Sequence, residues 1–182
     1  MQQERLEEID ESHEAAWLAM IEDYRKNDPK TFEAAFKRKV DWTSAEFRKF
    51  AKEAQKERLD WRPGANKTSI SRYVLLDRAG RICATGLMRF PLDEKTEVDG
   101  GNLVCEVPPS FRGQEFGAVC LSHMLFEAVR AGLRRVLVTC PADQASARKM
   151  VERNRGVLQD VVESTQPYRN GMKIARYWIN FG

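Results

Sequence analysis

The 182-residue chain is short of several things. Histidine occurs twice, at His13 and His123, and the four cysteines (Cys83, Cys105, Cys120, Cys140) form no C-x-x-C pair. A Cys/His zinc site therefore lacks suitable ligand spacing, and four cysteines are too few to staple a chain of this length. The reading left is four buried thiols in a cytoplasmic protein, with no metal. No apolar run approaches the roughly 20 residues that span a bilayer. The opening MQQERLEEIDESHE lacks the apolar stretch of a secretory signal. Net charge is only +3, which by itself names no nucleic-acid partner. Glycine is missing from the first part of the chain, all 11 lying at or after Gly64.

What is present divides at that point. Residues 1–62 carry 15 acidic and 13 basic side chains; residues 63–182 carry 12 and 17. The first part reads as a helical region. Ser12 caps a helix presenting Ala16, Met20 and Tyr24, with Trp17 and Ile21 beside them. Asp28-Pro29 opens a second helix through Phe32, Ala35 and Phe36. Thr43 and Glu46 form a capping-box pattern before Phe47, Phe50, Ala51 and Ala54. These aromatic residues, with Trp42 and Trp61, read as helix packing. His13 is expected on the surface of the first helix.

Residues 63–182 read as an α/β domain. Strands are expected at Ser71–Leu76 and Ile82–Phe90, around a turn at Asp77–Gly80. A loop then runs from Arg89 to Gly101, before a short strand Leu103–Val107 that Pro108-Pro109 ends. A helix Phe116–Ala131 holds a partly buried His123. Strand Arg134–Cys140, helix Asp143–Arg153 and strands Val157–Val162 and Ile174–Phe181 complete a mixed, helix-flanked sheet.

The stretch Val107-Pro108-Pro109-Ser110-Phe111-Arg112-Gly113-Gln114-Glu115-Phe116-Gly117-Ala118 joins a strand to a helix. Such a junction presents unpaired N–H groups and the positive end of the helix dipole, which is an anion site when glycine lets the anion approach. A plain structural turn has the same pattern. No Gly-Lys-Ser/Thr follows, so it is no nucleotide P-loop.

In its order along the chain the segment resembles the acetyl-coenzyme A loop of the GNAT acetyltransferase superfamily, Arg/Gln-x-x-Gly-x-Gly/Ala after Val-x-Pro. Gly86–Arg89 with Gly100-Gly101, Arg135–Cys140, Ser146–Glu152 with Asn154–Leu158, and Arg176–Ile179 are similar to further segments of one GNAT subgroup of predicted acetyltransferases. The resemblance covers roughly residues 68–181. It implies a GNAT-like, mostly antiparallel sheet. It also implies transfer of an acetyl group from acetyl-coenzyme A to a small-molecule or peptide amine, by direct attack. Cys105 and Val107 would offer main-chain groups to the pantetheine arm. The N–H groups from Arg112 through Gly113, Gln114, Glu115, Phe116 and Gly117 or Ala118 would hold the pyrophosphate. Glu106, on the same strand, is the candidate general base, although strand alternation could turn it to the opposite layer.

Three positions depart from that pattern. Glu115 stands where the family has its middle loop glycine, Gln144 where it has a frequent asparagine, and Val151 where many members have a proton-donating tyrosine. A carboxylate suits a helix N-terminus but repels a pyrophosphate, so weakened coenzyme A binding is expected. Arg112, Arg148 and Lys149 could offset it. A catalytically silent GNAT-fold protein used for binding or assembly is the alternative. Arg148, Lys149, Arg153 and Arg155 could meet a 3′-phosphate or form a solvated face. Nucleic acid is not expected, because no aromatic residues interleave with these charges. Acidic Asp93, Glu94, Glu97 and Asp99 lie in a loop that could favour a cationic amine. Whether the chain is a monomer or a homodimer stays open.

Overall fold

The computed structural model describes residues 4–36, 41–59, 68–165 and 171–182. A seven-stranded sheet has the order β1-β2-β3-β4-β5-β7-β6. Its strands are β1 (Arg5–Glu8), β2 (Ser69–Leu76), β3 (Ile82–Phe90), β4 (Leu103–Glu106), β5 (Arg135–Pro141), β6 (Val157–Glu163) and β7 (Lys173–Asn180). All neighbours are antiparallel except β4 and β5. The expected mixed, mostly antiparallel architecture is what the chain forms.

Helices cover both faces. On one face α5 (Phe116–Arg130) sets Cys120, Leu121, Met124 and Ala128 against Leu75, Ala84, Leu103, Val136 and Val138, with Val151 of α6 (Ala145–Arg153) beside them. On the other face α1 (Glu14–Asn27) and α3 (Ser44–Leu59) bring Trp17, Met20, Ile21, Tyr24, Phe47, Ala51 and Ala54 onto Val74, Leu76 and Ile82. Strand alternation explains the split, since Leu75 serves one core while Val74 and Leu76 serve the other. Between α1 and α3 runs α2 (Pro29–Thr31), continued by a π-helical turn, Phe32–Phe36.

Three expectations change. The N-terminal region holds a strand: β1 pairs with β2 in the register Arg5↔Leu76 to Glu8↔Tyr73. Its one apolar residue, Leu6, packs into the α5-side core, so an edge strand forms despite three charged neighbours. The start before α1 is capped by Asp10 rather than Ser12, through a capping box closed by His13. His13 is thereby buried, with Nδ1 accepting from the Asp10 N–H at 3.1 Å and Nε2 3.2 Å from Glu7. The stretch expected as a loop contains α4 (Glu94–Asp99), capped by a reciprocal Asp93–Thr96 box. Trp61 and the 62/63 boundary lie outside the described residues.

Candidate acyl-donor site

The sheet opens between β4 and β5. They pair only at Leu103↔Val138, and no further rung joins them. Beyond that pair the edge of β4 toward β5 makes no ladder pair with β5, while its other edge stays paired with β3 from Thr85↔Glu106 to Met88↔Leu103. The vertex is locked by Asn102, which is buried. Its N–H donates to the Leu137 carbonyl at 2.6 Å, its Oδ1 accepts the Leu137 N–H at 2.8 Å, and its Nδ2 donates to the Arg89 carbonyl at 3.1 Å. Gly101 precedes it with φ 64, and a Cβ there would lie 2.5 Å from the Leu137 carbonyl oxygen. Glycine answers both needs at once.

At the open end, Pro109–Phe111 forms a 3-10 turn and the chain reaches α5 through Gly113 (φ 78) and Glu115 (φ 66). The Arg112 N–H is taken by the Pro109 carbonyl, and the Ala118 and Val119 N–H groups by the Glu115 carbonyl. Gly113 to Gly117 remain between them, and their N–H groups donate no well-formed backbone hydrogen bond among the described residues. They lead into the first turn of a 15-residue helix, where orphan donors and the dipole favour an anion. A Cβ at Gly113 would meet nothing within 4 Å, so the loop is open to an approaching group there.

Around this array the expected residues fall as follows. Cys105 is half-buried on β4, facing the α5-side core. Cys120 lies within reach, and its thiol is pushed up by the hydrogen bond to Cys105 and by burial. Val107 is half-buried, and its carbonyl accepts from Arg112 Nε at 3.2 Å. Glu106 is exposed and, by alternation with Cys105, lies on the α1 face. There its charge is felt by the buried Tyr24 phenol, which burial first and Glu106 second hold above the ordinary range. Phe116 packs edge-on against Phe111, with centroids 5.6 Å apart. Gln114 folds back to the Ser110 carbonyl at 3.0 Å. Gln144 is exposed at the N-terminus of α6, where β5 ends.

Glu115 turns outward and pairs with Arg153 on α6, both side chains being over 60 % exposed. The cation paired with Glu115 is Arg153. Arg112 binds Asp28 at 2.7 Å, and Arg148 donates to the Tyr177 hydroxyl at 2.8 Å. Val151 is fully buried in the core. Among the acidic residues of 93–99, Asp93 caps α4, and buried Asp99 accepts from Ser164 Oγ at 3.0 Å and the Thr165 N–H at 3.1 Å. Asn102, Asp23, Asp28 and Ser110 were not anticipated. Their partners are remote in sequence, and nothing local to them sets them apart from turn and cap residues.

Comparison with known proteins agrees with this fold. The family model described as the acetyltransferase (GNAT) family matches residues 17–157. None of the curated proteins matches the chain. Among solved structures, the ribosomal-protein-S5-alanine acetyltransferase from Vibrio fischeri superposes with a TM-score of 0.70 at 12% identity, covering 99% of this chain and 94% of that one. RimL, a ribosomal L7/L12 alpha-N-protein acetyltransferase in complex with coenzyme A, gives 0.69 at 16% identity, with 100% and 96% covered. YncA from Salmonella typhimurium, a putative acetyltransferase with acetyl-CoA, gives 0.65 at 12%, with 100% and 95% covered. At these identities the superpositions speak to fold alone. With the family model spanning most of its length, the chain belongs to the acetyltransferase (GNAT) family.

Proposed function

We propose that the protein is an N-acetyltransferase that moves an acetyl group from acetyl-coenzyme A to an amine by direct attack in a ternary complex. The observation that carries this reading is the β4–β5 splay opening onto the N–H array at Gly113–Gly117. The residues fit the donor. The array would hold the pyrophosphate, main-chain groups of Cys105 and Val107 would pair with the pantetheine arm, and the Gln144 amide would meet it from the β5 side. Acetyl-coenzyme A, when bound, supplies the activated acetyl group. Glu106, on the α1 face, would take the proton of the attacking amine, and a β4 N–H would polarise the carbonyl under attack. As the C–N bond forms the C–S bond breaks, and coenzyme A would leave as a thiolate that takes its proton from water, since Val151 offers none. Related folds named as acetyltransferases of ribosomal proteins support an amine acceptor, small molecule or peptide.

A ligand that binds only the native state must stabilise it. Saturating acetyl-coenzyme A is expected to raise Tm by about 5 °C or more. Glu106→Gln is then expected to lower kcat by about a hundredfold or more while leaving donor affinity unchanged. Two observations favour a second reading, a silent GNAT fold with weakened donor binding: Val151 is buried and has no acidic proton, and Glu115 occupies the loop position. No thermal shift at millimolar donor would select it.

A further inference from the structure

The loop before α5 is tied to the N-terminal helices by two carboxylates. Asp23, near the end of α1, accepts from the Ser110 N–H at 3.0 Å and from the Ser110 hydroxyl at 2.5 Å. Asp28, in the α1–α2 turn, accepts from Arg112 Nη2 at 2.7 Å. The same guanidinium lies 5.9 Å from the centroid of the Tyr24 ring, and through Nε it also holds Val107. Each carboxylate is fixed from its own side as well. Asn27 Nδ2 donates to Asp23 at 2.7 Å, and the Thr31 N–H donates to Asp28 at 3.1 Å. Three loop positions, 107, 110 and 112, therefore depend on the α1–α2 turn, and the N–H array begins at the next residue. The helix itself is rooted in the second core by Trp17, Met20, Ile21 and Tyr24. A close-packed helix does not deform continuously. A change in its position is therefore passed to the loop rather than absorbed.

We infer that Asp23 and Asp28 are positioning residues of the donor site, coupling the α1–α2 layer to the Gly113–Gly117 array so that donor binding and the order of that layer strengthen each other. The inference rests on the donor reading of the loop. Because coupling between sites is reciprocal, whatever orders α1 tightens donor binding by the same factor.

Hydrogen exchange read by mass spectrometry, with and without coenzyme A, tests it on wild type, Asp23→Ala, Asp28→Asn and Arg112→Gln. Asp28→Asn keeps an oxygen for the Thr31 cap, and Arg112→Gln breaks the same tie without touching α2. In the free proteins, amides of residues 110–117 are expected to exchange about fivefold faster in each variant than in wild type. On adding coenzyme A, wild type is expected to gain protection both in the loop and over residues 23–31. The Asp23→Ala/Asp28→Asn double variant should gain it in the loop alone and bind about tenfold more weakly by calorimetry. Unchanged loop exchange in the free variants overturns the inference, as does α1–α2 protection that survives in the double variant. If wild type binds no coenzyme A, the donor reading fails separately, and exchange in the free proteins still decides whether the ties hold the loop.

Discussion

Glu115 carries two opposed effects. Its backbone lies in the left-handed region, which costs an L-residue about 1 kcal/mol. Its exposed pair with Arg153 returns up to about 1 kcal/mol. Stability is therefore nearly indifferent to this residue, and Glu115→Gly is expected to change the unfolding free energy by no more than about 1 kcal/mol. The larger effect belongs to binding. A bare carboxylate about 5 Å from a phosphate charge, at an effective dielectric near 20, would repel it by about 3 kcal/mol. Arg153 beside the carboxylate removes most of that. Glu115→Gly is expected to tighten coenzyme A binding by about tenfold, and Arg153→Ala to weaken it by about tenfold. Calorimetry on wild type, both single variants and the double variant closes the cycle. If Arg153 acts by neutralising Glu115, its loss matters little in the Glu115→Gly background. A full tenfold loss there would instead assign Arg153 to direct contact with phosphate.

At the scale of elements, the vertex between β4 and β5 is the part most sensitive to one side chain. Asn102→Ala leaves the buried Leu137 N–H without its acceptor and removes a donor from the Arg89 carbonyl. The expected cost is about 2–4 kcal/mol, read as a lower urea midpoint at unchanged slope. A loss under about 0.5 kcal/mol would show that the strands hold their spacing without it. This vertex also marks the limit of what the sequence discloses. The strand Ile82–Phe90 and the helix from Phe116 were legible because apolar spacing and turn residues agree locally. The short run before Pro108 was legible as a strand. That it pairs with β5 at one rung only is a tertiary fact, fixed by an asparagine 35 residues from its partner. The strand Arg-Leu-Glu-Glu was invisible because an edge strand needs only Leu6 inside. Asp23 and Ser110 stand 87 positions apart, so neither betrays the other. The loop itself was legible as a candidate anion site, because glycines beside a helix start signal it locally.

Across the whole molecule, ionisable groups enclose stability between two pH limits. Several aspartates titrate below their ordinary 3.8. The Ser12 hydroxyl lowers Asp10, and the Arg176 guanidinium lowers Asp160. At Asp23 and Asp28 burial pulls upward, but hydrogen bonds from Ser110 and from Arg112 respectively outweigh it. A depressed carboxylate contributes stability above its unfolded pKa and loses it as pH falls through the folded value. The acid limb therefore begins near pH 4 and deepens below it. Buried acids set the other limb. Burial, helped by the Asp77 charge, pushes Cys83 from 9.0 to about 12, and burial pushes Cys140 to about 11. Burial and the Glu8 charge push Tyr73 from 10.0 to about 12. For these groups stability is complete below the unfolded pKa and is lost as pH rises toward the folded one. The melting temperature is thus expected to be flat from about pH 5 to 8 and to fall on both sides, with the alkaline fall starting near 9. Replacing Cys83 and Cys140 together by Ala removes their share of that fall and leaves the buried Cys120 thiol in place. Melting curves across pH in both proteins check it. The variant, although less stable at neutral pH, should lose less Tm between pH 8 and 10 than wild type. Equal losses would place the alkaline limb on Cys120 and on the tyrosines, whose unfolded form ionises a full unit later than a thiol.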